Sequence, residues 1–252
     1  MHWIKSALLL RCRLAAGTLA LLFATGAFAQ ATGGPQAVRT PAASTAPAPS
    51  PYSAGARYAV VLDAAHGGTD TGAHLGAGLE EKTFVLALTG RLRALLADRG
   101  IPVLLTRDAD MDLTSDQRAQ SMDSARAAAC LSIHATAVGQ GVHLFTSSLP
   151  PAAQPAGTRD FVPWQTAQAG FITGSLHLES EMDTALAHAQ VPVLMGRTSL
   201  SPLDSATCPA VAVEVAPLNA QTPVTDQKYQ QQIADALATA LVAWRTDWRT
   251  QP

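Results

Sequence analysis

A single-domain α/β fold, with a mostly parallel twisted sheet of about six strands and helices on both faces, is the class the sequence predicts. From Arg57 onward, short β-branched runs alternate with segments of helical periodicity. The chain's 252 residues, 48% hydrophobic and 14% charged, suffice for one large core or at most two small ones. Only the N-terminus approaches the run of about 20 apolar residues that a membrane span requires.

In chain order, Lys5, Arg11 and Arg13 precede the apolar stretch Leu14 to Gly26, which closes on Ala27-Phe28-Ala29. This is the plan of a signal peptide over residues 1–29, cut after Ala29, with an uncleaved anchor as the alternative. Residues 30–56 are rich in Ala, Pro and Thr, with five of the 16 prolines, and are expected to form a disordered linker. The folded domain then occupies 57–252. Strands are expected at Tyr58 to Leu62, Ile101 to Leu105, Leu131 to His134, Val142 to Thr146 and Ala210 to Val215, with a weaker one at Val191 to Met195. A helix from Glu81 to Arg99 puts Phe84, Leu88, Leu92, Leu95 and Leu96 on one face and stops at Gly100. A second follows Thr114 and runs to Ala128. Residues 164–189 read as helical with a break at Gly170 or Gly174, and a last helix spans Thr225 to Trp248.

A net charge of −2 with no basic run excludes nucleic-acid binding, which needs Lys and Arg to displace counterions from phosphates. The apolar content excludes disorder throughout, and no Walker A or G-x-S-x-G motif is present. Of three cysteines, Cys12 falls in the signal segment. Cys130 and Cys208 each precede an apolar strand, and a disulfide and two buried thiols are equal readings.

Functional side chains of such sheets sit past the carboxyl ends of strands. Three strands deliver an ionisable residue there: the first into His66 with Gly67 and Gly68 behind it, the third at His134, and the last at Glu214. Glu80-Glu81 opens the first long helix, beside its positive end. Two imidazoles and a carboxylate make a three-ligand zinc set with a position open for water, and a further carboxylate is then free to move protons. That equipment hydrolyses amides.

Read together, the motifs Asp63 to Gly68, Gly78-Leu79-Glu80-Glu81-Lys82, Thr106-Arg107-Asp108, Arg118, Ser132-Ile133-His134-Ala135-Thr136 and Pro209 to Glu214 resemble the zinc-dependent N-acetylmuramoyl-L-alanine amidases of the cell-wall-lytic type, family 3. The resemblance spans Tyr58 to Leu241. It implies that His66, Glu81 and His134 bind Zn2+ and that Glu214 is the catalytic carboxylate. Glu81 is preferred to Glu80 because it directly precedes Lys82, as the family's ligand precedes its lysine. It further implies an exported hydrolase, periplasmic or extracellular, that cleaves the bond between N-acetylmuramic acid and L-alanine of peptidoglycan. The expected partners are the peptidoglycan substrate and an activator or wall-recruiting protein, with a monomeric chain, no nucleic acid and no stable membrane span after signal cleavage. The alternatives are a non-catalytic peptidoglycan-binding or regulatory protein on the same fold and a zinc peptidase acting on the stem peptide.

The sequence departs from the family pattern at Ala64-Ala65 before His66, at Thr136, at Asp123 and at Val215-Ala216-Pro217, and none of these removes a proposed ligand. Asp63 is read either as orienting His66 or as capping its loop. Arg107 and Arg118 are expected to pair with Asp108 or Asp116. His74 reads as a solvated loop residue, and His143 alternates with Val142 and Leu144 and so points away from the core. Trp244 and Trp248, four apart on one helix, read as packing residues. Some relatives carry a helix that plugs the active site, and periodicity leaves open whether 164–190 includes one.

Overall fold

Strands β1 (Val60–Ala64), β2 (Val103–Leu105), β3 (Ala129–Ala135), β4 (Val142–Ser147), β5 (Val193–Thr198) and β6 (Ala210–Val215) form one sheet in the order β2-β1-β3-β6-β4-β5. The structure is a computed structural model that describes residues 58–152 and 163–250, all within the compact unit Pro47–Pro252. The expected signal peptide and linker lie outside the described residues. β1, β2, β3 and β6 are parallel, and only the β4–β6 pair is antiparallel. This is the expected fold class. Among the described residues, no helix is long and apolar enough to cross a membrane.

Strand alternation sorts the sheet into two unlike faces. Val60, Leu62, Leu131, Ile133, Val211, Val213, Val142 and Leu144 face one way, into the main core. Three helices cover that face: α1 (Glu81–Asp98), α3 (Ile172–His188) and α4 (Gln227–Thr250). The opposite face carries small residues, Cys130, Ala210 and Ala212 beside Val61, under Met122 of α2 (Ser115–Ala125) and Leu203. Towards the carboxyl ends of the strands this thinner face turns polar, at Asp63, Ser132, His134 and Glu214.

Local chemistry sets the helix limits. A reciprocal capping box between Thr114 and Gln117 starts α2. The helix ends three residues short of Ala128, because Arg126 turns left-handed at φ 47° and the Ala128 N–H already pairs with Ala59 O at 2.9 Å. The stretch expected to be helical over 164–189 is a 3-10 turn, Trp164–Gly170, followed by α3, so the break falls at Gly170 while Gly174 lies inside the helix. α3 sinks Ile172, Leu178, Met182 and Leu186 into the protein interior. It is a structural layer on the face away from His134 and Glu214. Trp244 is fully buried with its indole N–H on Ala128 O at 2.8 Å, and Trp248 packs edge-on to Tyr58. Cys130 and Cys208 form a disulfide, which decides between the two readings.

Glu179 on α3 is 5% exposed, and its Oε1 has no hydrogen-bond partner among the described residues. Burial pushes its carboxyl up to about 7; Arg197 on β5 offsets this in part, and Asp183 adds to it. A raised carboxyl pKa means the unfolded chain releases the proton first. Stability therefore falls as pH rises from the ordinary 4.5 towards 7. Glu179→Gln should be more stable than wild type by about 2–3 kcal/mol at pH 8 and equal to it near pH 4. Urea melts at the two pH values check this, and a pH-independent difference would overturn it.

Candidate functional site

The loop after β1 carries His66 in the left-handed region at φ 59°, followed by Gly67 and Gly68, both also at positive φ. Such a backbone holds only if its surroundings fix it. Arg107 does so by donating to Ala64 O, Ala65 O and Lys82 O at 2.8–2.9 Å. Arg118 donates to Ala64 O and His66 O at 2.7 and 2.6 Å. Beyond them, Lys82 Nζ donates to Gly68 O, and Asp110 and Asp112 accept from the N–H groups of Gly68 and Thr69.

Asp63, fully buried, neither orients His66 nor caps its loop. It pairs with Arg118 at 2.6 Å and accepts from Thr106 Oγ1 and Ser132 Oγ. The arginines are thus structural, as expected, but their partners are Asp63 and backbone carbonyls instead of Asp108 or Asp116. The group beside His66 is Asp70, whose Oδ2 lies 2.8 Å from Nδ1. Sequence reasoning passed over Asp70, for an exposed aspartate after Gly-Gly-Thr carries no periodic signal.

Glu81, in the first turn of α1, reaches over the strand tips. Its carboxylate accepts the N–H groups of Ala73 and Ala135 at 2.8 and 2.9 Å. The same carboxylate lies 3.2 Å from His66 Nε2 and 3.1 Å from His134 Nδ1. One ligand atom from each of the three residues lies within 4.8 Å of the others. Burial opposes a charged Glu81, but hydrogen bonds from the rings of His134 and His66 and from the two backbone N–H groups outweigh it, holding the carboxyl below the usual carboxylate range. His66 is raised chiefly by its hydrogen bond to Glu81, against burial and with help from Asp70. The pocket therefore favours positive charge between the rings and the carboxylate, the condition that suits a divalent cation.

The donor set fits zinc: two imidazole nitrogens and a carboxylate oxygen, with Asp70 on the far nitrogen of one ring. Gly72 completes the cradle, since a Cβ there would lie 2.6 Å from Glu81 Oε2 and 2.7 Å from His66 Cδ2. A polar cavity of about 150 Å³ adjoins the cluster, lined by His66, Asp70, Ser115, Arg118, His134 and Pro202. Glu80 stands outside the cluster, 3.7 Å from Lys82 Nζ. His74 is exposed.

Glu214 is the register partner of His134 on the neighbouring parallel strand, so the two side chains leave the same face side by side. Across the antiparallel pairing His143 is the partner of Glu214, with Nδ1 2.7 Å from Oε2. The alternation that turns His143 away from the main core thus turns it onto the polar face. Its contact with Glu214 was missed because strand order, with β6 between β3 and β4, cannot be read from spacing. Of the other departures, Asp123 Oδ1 accepts both N–H and Oγ1 of Thr207, tying α2 to the approach to β6, and Thr136 Oγ1 accepts Val138 N.

A family model described as N-acetylmuramoyl-L-alanine amidase matches residues 60–243. N-acetylmuramoyl-L-alanine amidase AmiA of Escherichia coli (strain K12) is 38% identical over 87 residues, 34% of this chain and 30% of AmiA. The matched segments span only 28–39% of the first three curated relatives. The crystal structure of the N-acetylmuramyl-L-alanine amidase Ami1 from Mycobacterium smegmatis superposes with a TM-score of 0.61 at 23% identity, covering 76% of this chain and 98% of Ami1. The CwlD amidase from Clostridioides difficile, in complex with the GerS lipoprotein, gives a TM-score of 0.54 at 22% identity, covering 76% of this chain and all of that one (100%). At these identities the structural likenesses speak to the fold.

Proposed function

The chain belongs to the N-acetylmuramoyl-L-alanine amidase family, and on that premise we propose that it is an exported zinc hydrolase cleaving the amide between N-acetylmuramic acid and L-alanine of peptidoglycan stem peptides, in cell-wall turnover and daughter-cell separation. The observation that carries the reading is the convergence of His66 Nε2, Glu81 and His134 Nδ1 beside the open carboxylate of Glu214.

His66, Glu81 and His134 would hold the metal. Zinc, when bound there, would lower the pKa of a water towards neutrality and polarise the scissile carbonyl. Glu214 accepts a proton from the attacking water and returns it to the departing L-alanine amine. Asp70 fixes the ring orientation of His66 through Nδ1. Arg107, Arg118 and Lys82 keep the His66 loop in its strained conformation, so the ligand is in place before substrate arrives.

Residues 1–29 are the signal peptide, 30–56 a linker and 57–252 the catalytic domain. The buried disulfide supports export to the periplasm or the extracellular space, since such bonds persist in oxidising compartments. The partners are peptidoglycan and an activator or wall-recruiting protein; that the CwlD amidase forms a complex with a lipoprotein, GerS, supports a protein partner. The chain acts as a monomer.

Digestion of purified peptidoglycan by the full chain tests the assignment. Mass spectrometry should find stem peptides with a free L-alanine amine and intact glycan strands, and chelator should stop their release. Cuts between amino acids would replace the amidase with a peptidase. Binding without release would make the chain a wall-binding protein.

A further inference from the structure

We infer that His143 is a positioning residue for Glu214, holding one carboxylate oxygen so that the other alone serves the proton transfers; this rests on the reading of Glu214 as the proton-carrying group.

A carboxylate can only accept hydrogen bonds, so at the 2.7 Å contact with Oε2 the proton lies on His143 Nδ1. The side chains differ in exposure, 16% for His143 against 34% for Glu214. The ring is the more buried of the two, and the carboxylate is the more open to water. Among the described residues, His143 is the one hydrogen-bond partner of the Glu214 side chain, and Oε1 is left for substrate or water. Without it, a half-exposed glutamate on three rotatable bonds would sample many orientations.

The ring itself is seated. Gly139, at φ 89°, lies so near that a Cβ there would come within 2.7 Å of His143 Cε1 and 3.0 Å of Nε2. Phe145, two residues along β4, packs edge-on with ring centroids 6.4 Å apart. Strand register, the absence of a side chain at 139 and an aromatic neighbour all aim Nδ1 at Glu214. A solvated surface histidine would need none of them.

The test compares His143→Leu, His143→Asn and Gly139→Ala in the full chain, with Glu214→Gln as reference, by kcat and KM on peptidoglycan, zinc content and melting. Leucine fills the space without a donor, and asparagine restores an N–H near the Nδ1 position. His143→Leu should lower kcat by about 10–100-fold with KM and zinc content unchanged. His143→Asn should recover about tenfold of that loss, because the hydrogen bond and not the ring is what counts. Gly139→Ala, which displaces the ring, should lower kcat alike and add nothing to His143→Leu. Equal defects in the Leu and Asn variants, or wild-type kcat in His143→Leu while Glu214→Gln is inactive, would overturn the inference and leave the amidase reading standing. An active Glu214→Gln would remove the reading beneath it.

Discussion

Glu214→Gln is expected to lower turnover by about 10²–10⁴-fold while the zinc proposed for the site stays bound, whereas Glu81→Ala should lose metal and activity together. The two glutamates differ in surroundings. Glu81 is 4% exposed, and its oxygens are engaged by two rings and two backbone N–H groups. Glu214 is half-buried with one hydrogen-bonded neighbour among the described residues, and its register beside His134 puts it next to the cluster and outside it. Zinc content after dialysis against a weak chelator and release of peptide from peptidoglycan, measured on both variants, separate the roles. Loss of zinc from Glu214→Gln would make Glu214 a ligand, and near-normal turnover with zinc in place would free it of any part in proton transfer. Because the Glu81 carboxylate also ties Ala73 to Ala135, its variant needs a melting curve beside the assay.

What could be read in advance follows from which interactions are local. The strand–helix alternation, the apolar stripe of α1 and the Thr114 cap depend on neighbours a few residues away, and each leaves a pattern in the sequence. His66, Glu81, His134 and Glu214 stand at element ends, where a motif and the strand-tip rule both locate them. Asp70, Asp63 and His143 depend on contacts made across the sheet or around a loop. Asp63 meets Arg118 55 residues on and His143 meets Glu214 71 residues on, through a strand order that spacing does not encode. The weak strand expected at Val191 to Met195 lies at Val193–Thr198: among the described residues β5 pairs on one side only, and its Leu194 and Met195 are each 53% exposed, so its apolar pattern marks its ends poorly.

Opening the Cys130–Cys208 bond should cost about 4–5 kcal/mol of stability by the loop-entropy model, since the bridge closes a loop with a sequence separation of 78 residues. The location makes a full effect reasonable. Both sulfurs are buried in the minor core, whose other members are chiefly alanines, with Val61, Met122 and Leu203 the main bulk. A layer so thin buries little apolar surface, and the cross-link supplies what packing there does not. Cys130 lies two and four residues before Ser132 and His134 on the same strand face, so loosening at this end acts on the strand that presents the proposed ligand His134. Urea melts of wild type with and without reductant, and of Cys130→Ala/Cys208→Ala, should show matching falls in midpoint. The decisive comparison is zinc affinity of the double variant well below its unfolding transition. A stability loss with unchanged affinity confines the disulfide to global stability, while a parallel loss of affinity shows that it also sets the position of His134. Unchanged midpoints in all three samples would show that the alanine-rich face holds without the bond, and the case for an oxidising compartment would then rest on the N-terminal segment alone.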